Sequence, residues 1–276
     1  MLRHVDTLRS AVYGTAVGDA LGLPVQFLPR DSYPEVTEMT GSKELPCPAG
    51  TWSDDTSMTL ATCDAIRQKG EIDVEAIRSA FCNWLFHGSY AINQVVFDCG
   101  NTTGQALVRG YGFADFKANG NGSLMRILPL AFTEADAETI AAVSAITHGY
   151  AILVRACQIY IDCARTLIAG KDLAAILRNR NEVPPFHRLS QLEELEESEI
   201  RSSGYVVDTL EAALWSLLHS HSYAETVLRA VNLGNDTDTV GAVAGGLAGI
   251  LYGMEAIPAA WLEMLRGKDI IEDCLF

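Results

Sequence analysis

No pair among this chain's cysteines has the spacing of a C-x-x-C motif, and their number is odd. The seven are Cys47, Cys63, Cys82, Cys99, Cys157, Cys163 and Cys274. A disulfide framework is therefore not expected, and a reducing compartment is. Several fall inside apolar helical patterns, where a free thiol acts as a small hydrophobe. The start, Met1-Leu2-Arg3-His4-Val5-Asp6, lacks the apolar core of a signal peptide. The longest nearly uncharged run, residues 239–253, is too short and too glycine-rich to span a bilayer. A soluble, cytoplasmic protein with no membrane partner is the expectation. Positive charge is also scarce: 20 Lys and Arg stand against 35 Asp and Glu, a net charge of −15. Nucleic-acid binding depends on Lys and Arg neutralising phosphates, so that class of partner is not expected. A small anionic ligand stays compatible, provided backbone N–H groups, metals or a placed Arg receive it. Much of the acidic excess is local, with five acids in residues 193–199, and such a run reads as a solvated helix face or a mobile loop.

Linkers and alternating strands are missing too. No long Ser/Gly or Pro-rich tract separates two patterned halves, and 49% hydrophobic residues are ample for a sizeable core. The apolar spacing is helical nearly throughout. It predicts helices over residues 8–21, from the 54 region to Gly70, over 74–86, 102–109, 122–132, 136–147 and 150–169, and from Asp172. Further helices are expected over 203–218, 223–233 and 240–251, and from Pro258. Asp73, Asp172 and Ser222 read as N-caps.

Against this background stand two short acidic clusters at opposite ends of the chain. They are Ser53-Asp54-Asp55-Thr56 and Asn235-Asp236-Thr237-Asp238-Thr239, each just before a helical run. Either one alone reads as an ordinary N-cap, since Asp, Ser and Thr oxygens accept first-turn N–H groups. Capping requires one oxygen, however, and both clusters exceed it. Brought together they would form a ring of carboxylates, which repel at close range unless cations sit among them. An all-oxygen set of Asp, Ser and Thr suits a hard divalent ion such as Mg²⁺ or Mn²⁺ and suits zinc or copper poorly.

Gly14, Gly18 and Gly22 share one helical face, and Gly241, Gly245 and Gly249 repeat the device. Glycine is costly inside helices, so such rows point to close helix–helix contact around a crowded centre. Three smaller clusters read as turn chemistry when taken alone. Gly120-Asn121-Gly122-Ser123 could expose N–H groups to a phosphate. Asp98-Cys99-Gly100-Asn101-Thr102-Thr103 is polar, and Thr147-His148-Gly149 places a histidine between two helices.

Taken in order, the pieces resemble the ADP-ribosylglycohydrolase family. The matching stretches are Gly18-Asp19-Ala20-Leu21-Gly22, Gly50-Thr51-Trp52-Ser53-Asp54-Asp55-Thr56 and Gly100-Asn101-Thr102-Thr103. Asn121-Gly122-Ser123-Leu124-Met125-Arg126, Thr147-His148 and the run from Leu233 to Gly241 follow. The resemblance implies an all-α, single-domain orthogonal helical bundle spanning 1–276, with a metal-lined central cleft. It implies two Mg²⁺ or Mn²⁺ held by Ser53, Asp54 and Asp55 on one side and Asp236, Asp238 and Thr239 on the other, Asp238 bridging. The implied reaction removes ADP-ribose from a modified protein side chain or small conjugate by hydrolysis at C1 of the distal ribose, and a monomer is expected.

Asp54, Asp55 and Asp238 are the catalytic candidates; Asp54 or Asp55 would take the proton, and the sequence does not choose between ligand and base. Asp19, Gln26, Asp98, Asn121, Gly122, Ser123 and His148 match places near bound ADP-ribose. One departure stands out. Many family members carry a glutamate seven residues after the aspartate of the Gly-Asp motif, where this chain has Gln26, which keeps an acceptor oxygen but cannot serve as a base. A non-catalytic ADP-ribose binder and a metal phosphohydrolase acting on nucleotides are the alternatives.

Overall fold

The computed structural model describes residues 2–42 and 47–276. Its centre is decided by the two glycine rows. Helix α1 (Leu2–Gly22) and helix α10 (Thr237–Tyr252) lie antiparallel with their backbones in contact. A methyl group on Gly14 would stand 2.3 Å from the carbonyl oxygen of Gly245, and one on Gly18 would stand 2.0 Å from that of Gly241. No side chain fits at those distances, so the helix cost of glycine is offset by backbone packing that no other residue allows. At the end of the row the Thr237 hydroxyl donates to the Gly22 carbonyl at 2.8 Å, occupying an acceptor that the helix terminus leaves open. The C-terminal end of α1 is thereby fixed against the start of α10, where the second acidic cluster sits.

Around this pair pack α2 (Asp54–Lys69), α3 (Val74–His87), α4 (Asn101–Arg109), α5 (Ala137–Ala145) and α6 (Ala151–Ile168). The short α7 (Leu173–Arg178), then α8 (Val206–Leu218), α9 (Tyr223–Val231), α11 (Ala259–Met264) and α12 (Lys268–Cys274) complete the set. The expected caps form: Asp73 accepts from the amides of Glu75 and Ala76, Asp172 from Ala175, and Ser222 from Glu225. One apolar cluster of buried residues runs from Leu8 to Cys274. The fold is all-α; among the described residues the β-pairing is limited to two isolated bridges, Phe113 with His148 and Gly120 with Tyr205. No described helix is long and apolar enough to cross a membrane.

One expectation is corrected. Residues 122–132 do not form one helix but two 3-10 turns, Leu124–Arg126 and Leu128–Phe132. Pro129 has no N–H to give the carbonyl four residues back, so a continuous α-helix cannot pass through it. The acidic run at 193–199 is solvated, as expected, with all five of its acids exposed. It lies in 3-10 turns, closed by a reciprocal capping box between Glu196 and Glu199. The seven cysteines are free, as expected.

Candidate active site

The two acidic clusters meet. Thr239 Oγ1 donates to Asp55 Oδ2 at 3.4 Å across a sequence separation of 184 residues. Three elements deliver the parts: the end of α1, the start of α2 and the start of α10. Ser53 caps α2, accepting from the Asp55 amide at 3.3 Å, so Asp54 and Asp55 are freed from capping and point outward from the first turn. At α10 no side chain caps the helix, and Asp236, Asp238 and Thr239 are likewise available. The surplus over capping that the sequence displays is therefore real in both places.

Asp19 joins them in a different way. Its buried carboxylate accepts from the Ser53 amide at 3.0 Å, from the Thr56 amide at 3.1 Å and from Thr56 Oγ1 at 2.6 Å. This is an external cap on α2, donated by α1. Asp19 does not line the cleft, and the structure makes it a support for Asp54 and Asp55 in place of a ligand-facing group. Burial raises the pKa of Asp19, and these donors pull against that shift.

Asp54, Asp55, Asp98, Asp236 and Asp238 line one cleft of about 260 Å³. Burial pushes the pKa of Asp54, Asp55 and Asp238 well up, with the neighbouring carboxylates adding to it. Asp236 is raised by burial too, but Asn121 Nδ2 donates to its Oδ2 at 2.6 Å and offsets part of the effect. Among the described residues no group of three or more His, Cys, Asp or Glu side chains is preassembled as a metal cage. The metal-lined cleft implied by the sequence is thus not found as a finished coordination sphere. The donor chemistry nevertheless fits a hard cation. Asp55 Oδ1 and Asp238 Oδ1 are buried with no hydrogen-bond donor, a costly state for a carboxylate unless a positive charge faces it.

The rest of the lining is uncharged. Asn121 sits in a loop held by its own amide on the Gly204 carbonyl (3.0 Å) and by Val206 N on the Asn119 carbonyl (3.0 Å). Its side chain bridges Asp236 and Thr209. Gly122 lines the floor, where an added methyl would meet His148 Cε1 at 2.8 Å. The buried His148 lines the same wall, its loop tied down by Phe113 N on the Thr147 carbonyl and Gly149 N on the Phe113 carbonyl. Burial, with the Arg126 cation second, lowers the His148 pKa to about 3.

Of the expected ligand contacts, Gln26, Asp98, Asn121, Gly122 and His148 line the cleft, whereas Ser123 does not. The Ser123 hydroxyl turns into the core, 2.9 Å from Ser144 Oγ and 3.4 Å from Cys157 Sγ. Ser53 also stays behind the lining, its hydroxyl 3.1 Å from Asp55 Oδ2. Gln26 faces the carboxylates with its buried Oε1 free of any donor. Thr102, Thr103, Met125 and the exposed Phe27 also line the cleft, though none of them was named as a site residue. Thr102 and Thr103 lie at the start of α4 beside Asp98, so the polar run from Asp98 was their signal. Met125 lay inside the matching stretch from Asn121 to Arg126, and Phe27 gave no signal.

The sequence model of the ADP-ribosylglycohydrolase family matches residues 2–275. An ADP-ribosylarginine hydrolase of Pseudomonas putida (strain GB-1) is 35% identical over 97% of this chain and 76% of its own length. The ADP-ribosyl-dinitrogen reductase glycohydrolase of Rhodospirillum rubrum is 33% identical over 95% of this chain and 91% of its own. A solved structure described as an ADP-ribosylglycohydrolase-related protein complex superposes with a TM-score of 0.83 at 31% identity, covering 99% of this chain and 97% of that one.

Proposed function

The chain belongs to the ADP-ribosylglycohydrolase family, and from that membership we propose that it removes ADP-ribose from a modified side chain or small conjugate by hydrolysing the bond at C1 of the distal ribose. We further propose that two divalent cations, Mg²⁺ or Mn²⁺, sit between its acidic clusters. The observation that carries the reading is the meeting of two distant clusters around buried carboxylate oxygens without donors. Ser53, Asp54 and Asp55 would hold the cations from one side and Asp236, Asp238 and Thr239 from the other, with Asp238 between them. Such ions, when bound, neutralise the carboxylate ring and lower the pKa of an adjacent water.

The protein's own groups divide the remaining work. Asp55 is tied by Ser53 and Thr239, which suits a fixed holding role. Asp54 lines the cleft and, among the described residues, takes no hydrogen bond from another side chain, so it is the better proton acceptor. In the step proposed, the water oxygen bonds to C1 as the bond from C1 to the side-chain atom breaks. Asp54 receives the water proton, and the departing group takes up a proton. Carboxylate charge that the cations leave unbalanced would stabilise positive charge developing on the sugar. Asn121 keeps Asp236 oriented, and Gly122 keeps the floor open beside His148.

The relatives named for ADP-ribosylarginine make arginine the first linkage to test. Incubation with arginine-linked and serine-linked ADP-ribose and with free ADP-ribose, each with Mn²⁺, decides among the readings. Release of free ADP-ribose from a conjugate is expected. AMP formed from free ADP-ribose would replace this reading with phosphohydrolysis. Tight ADP-ribose binding without turnover of any linkage would favour a binding protein, the reading that Gln26 supports.

A further inference from the structure

Arg126 is fully buried, yet among the described residues it forms no ion pair with a carboxylate. Its guanidinium lies over the Phe81 ring, with Cζ 4.3 Å from the centroid, and its Nε has no acceptor. Nη1 reaches only the Val143 carbonyl at 3.4 Å, so the strongest bond it makes is from Nη2 to Thr147 Oγ1 at 2.7 Å. A buried cation in the core is expensive unless its placement serves something. The next atom along the chain of contacts is His148 Nδ1, 2.8 Å from the same Thr147 oxygen.

The protons in this row have one consistent assignment. A guanidinium has donors only, so Thr147 Oγ1 must accept from Arg126. Thr147 is fully buried, and among the described residues its hydroxyl proton has a single acceptor within reach, His148 Nδ1. Leaving that proton unpaired would carry the penalty of a buried unsatisfied donor. Nδ1 therefore accepts, and the ring proton of a neutral imidazole must reside on Nε2. Nε2 makes no hydrogen bond among the described residues. Its edge of the ring lies beside Gly122 on the cleft wall, 3.3 Å from where a methyl on that residue would be. The Ser144 hydroxyl, donating to the His148 carbonyl at 2.9 Å, fixes the backbone that carries the ring.

We propose that Arg126 and Thr147 are positioning residues that hold His148 as the neutral tautomer with its proton on Nε2, making it a fixed hydrogen-bond donor to an acceptor oxygen of the bound ligand. A donor complements this lining, because the carboxylates that share the cleft can only accept when ionised. The Arg126 cation also disfavours protonation of the ring, so the histidine delivers a donor without becoming a second cation. The identity of the ligand rests on the proposed function, whereas the tautomer does not.

The test therefore has two separable parts. In protein with ¹⁵N-labelled histidine, the His148 signals, assigned by their loss in His148→Gln, should show a proton on Nε2 and none on Nδ1 without any ligand. A proton found on Nδ1 of the wild-type ring would overturn the proposal. Thr147→Val keeps the side-chain shape and removes the hydroxyl; it should let the Nδ1–H tautomer appear and weaken ADP-ribose binding about tenfold, the scale of one directed hydrogen bond. Thr147→Ser should restore both. An unchanged tautomer and unchanged affinity in Thr147→Val would also overturn it. A correct tautomer with no ADP-ribose binding by wild type would instead count against the functional reading.

Discussion

Single side chains divide into those that hold charge and those that hold position. Asp238 belongs to the first kind, with a buried oxygen that no donor meets. Asp238→Ala should lower turnover far more than His148→Ala, and with saturating Mn²⁺ it should also lower the melting temperature more, because bound ions stabilise the folded state by mass action. Equal effects of the two substitutions on turnover and Mn²⁺ affinity would contradict these roles. Gln26 faces the same carboxylates, so Gln26→Glu adds a charge to a wall that already carries five aspartates. Turnover is expected to stay flat or fall on every linkage; a gain of about tenfold or more would mean that a missing base had been restored. His148 gives a pH signature. Its folded pKa of about 3 lies below the unfolded value near 6.5, so the unfolded chain takes a proton that the native state refuses. The stability this contributes is present above pH 6.5 and drains as pH falls towards 3, by on the order of 2 kcal/mol at pH 5. Denaturant titrations at pH 7 and pH 5 should show wild type losing that amount relative to His148→Gln, and a constant difference would refute the assignment. At this scale the aspartates were legible because they exceed what capping requires. Asp19 and Ser123 were not, because motif position does not reveal that one carboxylate caps a neighbouring helix and one hydroxyl turns inward.

Between elements, the decisive contact is that of α1 with α10, and its cause was readable as two rows of glycine. Gly18→Ala would drive a methyl into the Gly241 carbonyl and force the helices apart, at a cost of about 3 kcal/mol or more. Gly70→Ala is the control. Gly70 ends α2 in the left-handed region at φ 71° with open space around it, so only the backbone penalty of about 1 kcal/mol applies. Chemical denaturation of both variants should show the larger loss for Gly18→Ala, and equal losses would mean that the interface yields more easily than its geometry indicates. Helix starts were legible wherever Asp73, Asp172 or Ser222 supplied a cap. The stretch 122–132 was not, since its apolar spacing suits a helix and only Pro129 reports the interruption. Asn121 and Gly122 stay in a loop at the cleft wall, held by the bonds of Asn121 N to the Gly204 carbonyl and of Val206 N to the Asn119 carbonyl.

For the molecule as a whole, the acidic balance and the meeting of the chain's two ends describe one arrangement. A net charge of −15 is unhelpful for holding a polyanion but is compatible with a site that concentrates cations. Sequence alone displayed both clusters and could not place them together; the glycine contact between α1 and α10, with Asp19 reaching across to α2, is what does so. The central claim is that residues near 54 and residues near 238 form one metal site. Calorimetric titration of Mn²⁺ into chelator-treated protein tests it most directly, using wild type, Asp55→Ala and Asp238→Ala side by side. The account predicts tight binding by wild type and a loss of at least about tenfold in both variants, since a carboxylate removed from either cluster opens the same site. Wild-type affinity retained in either variant would show that the two clusters do not share their ions.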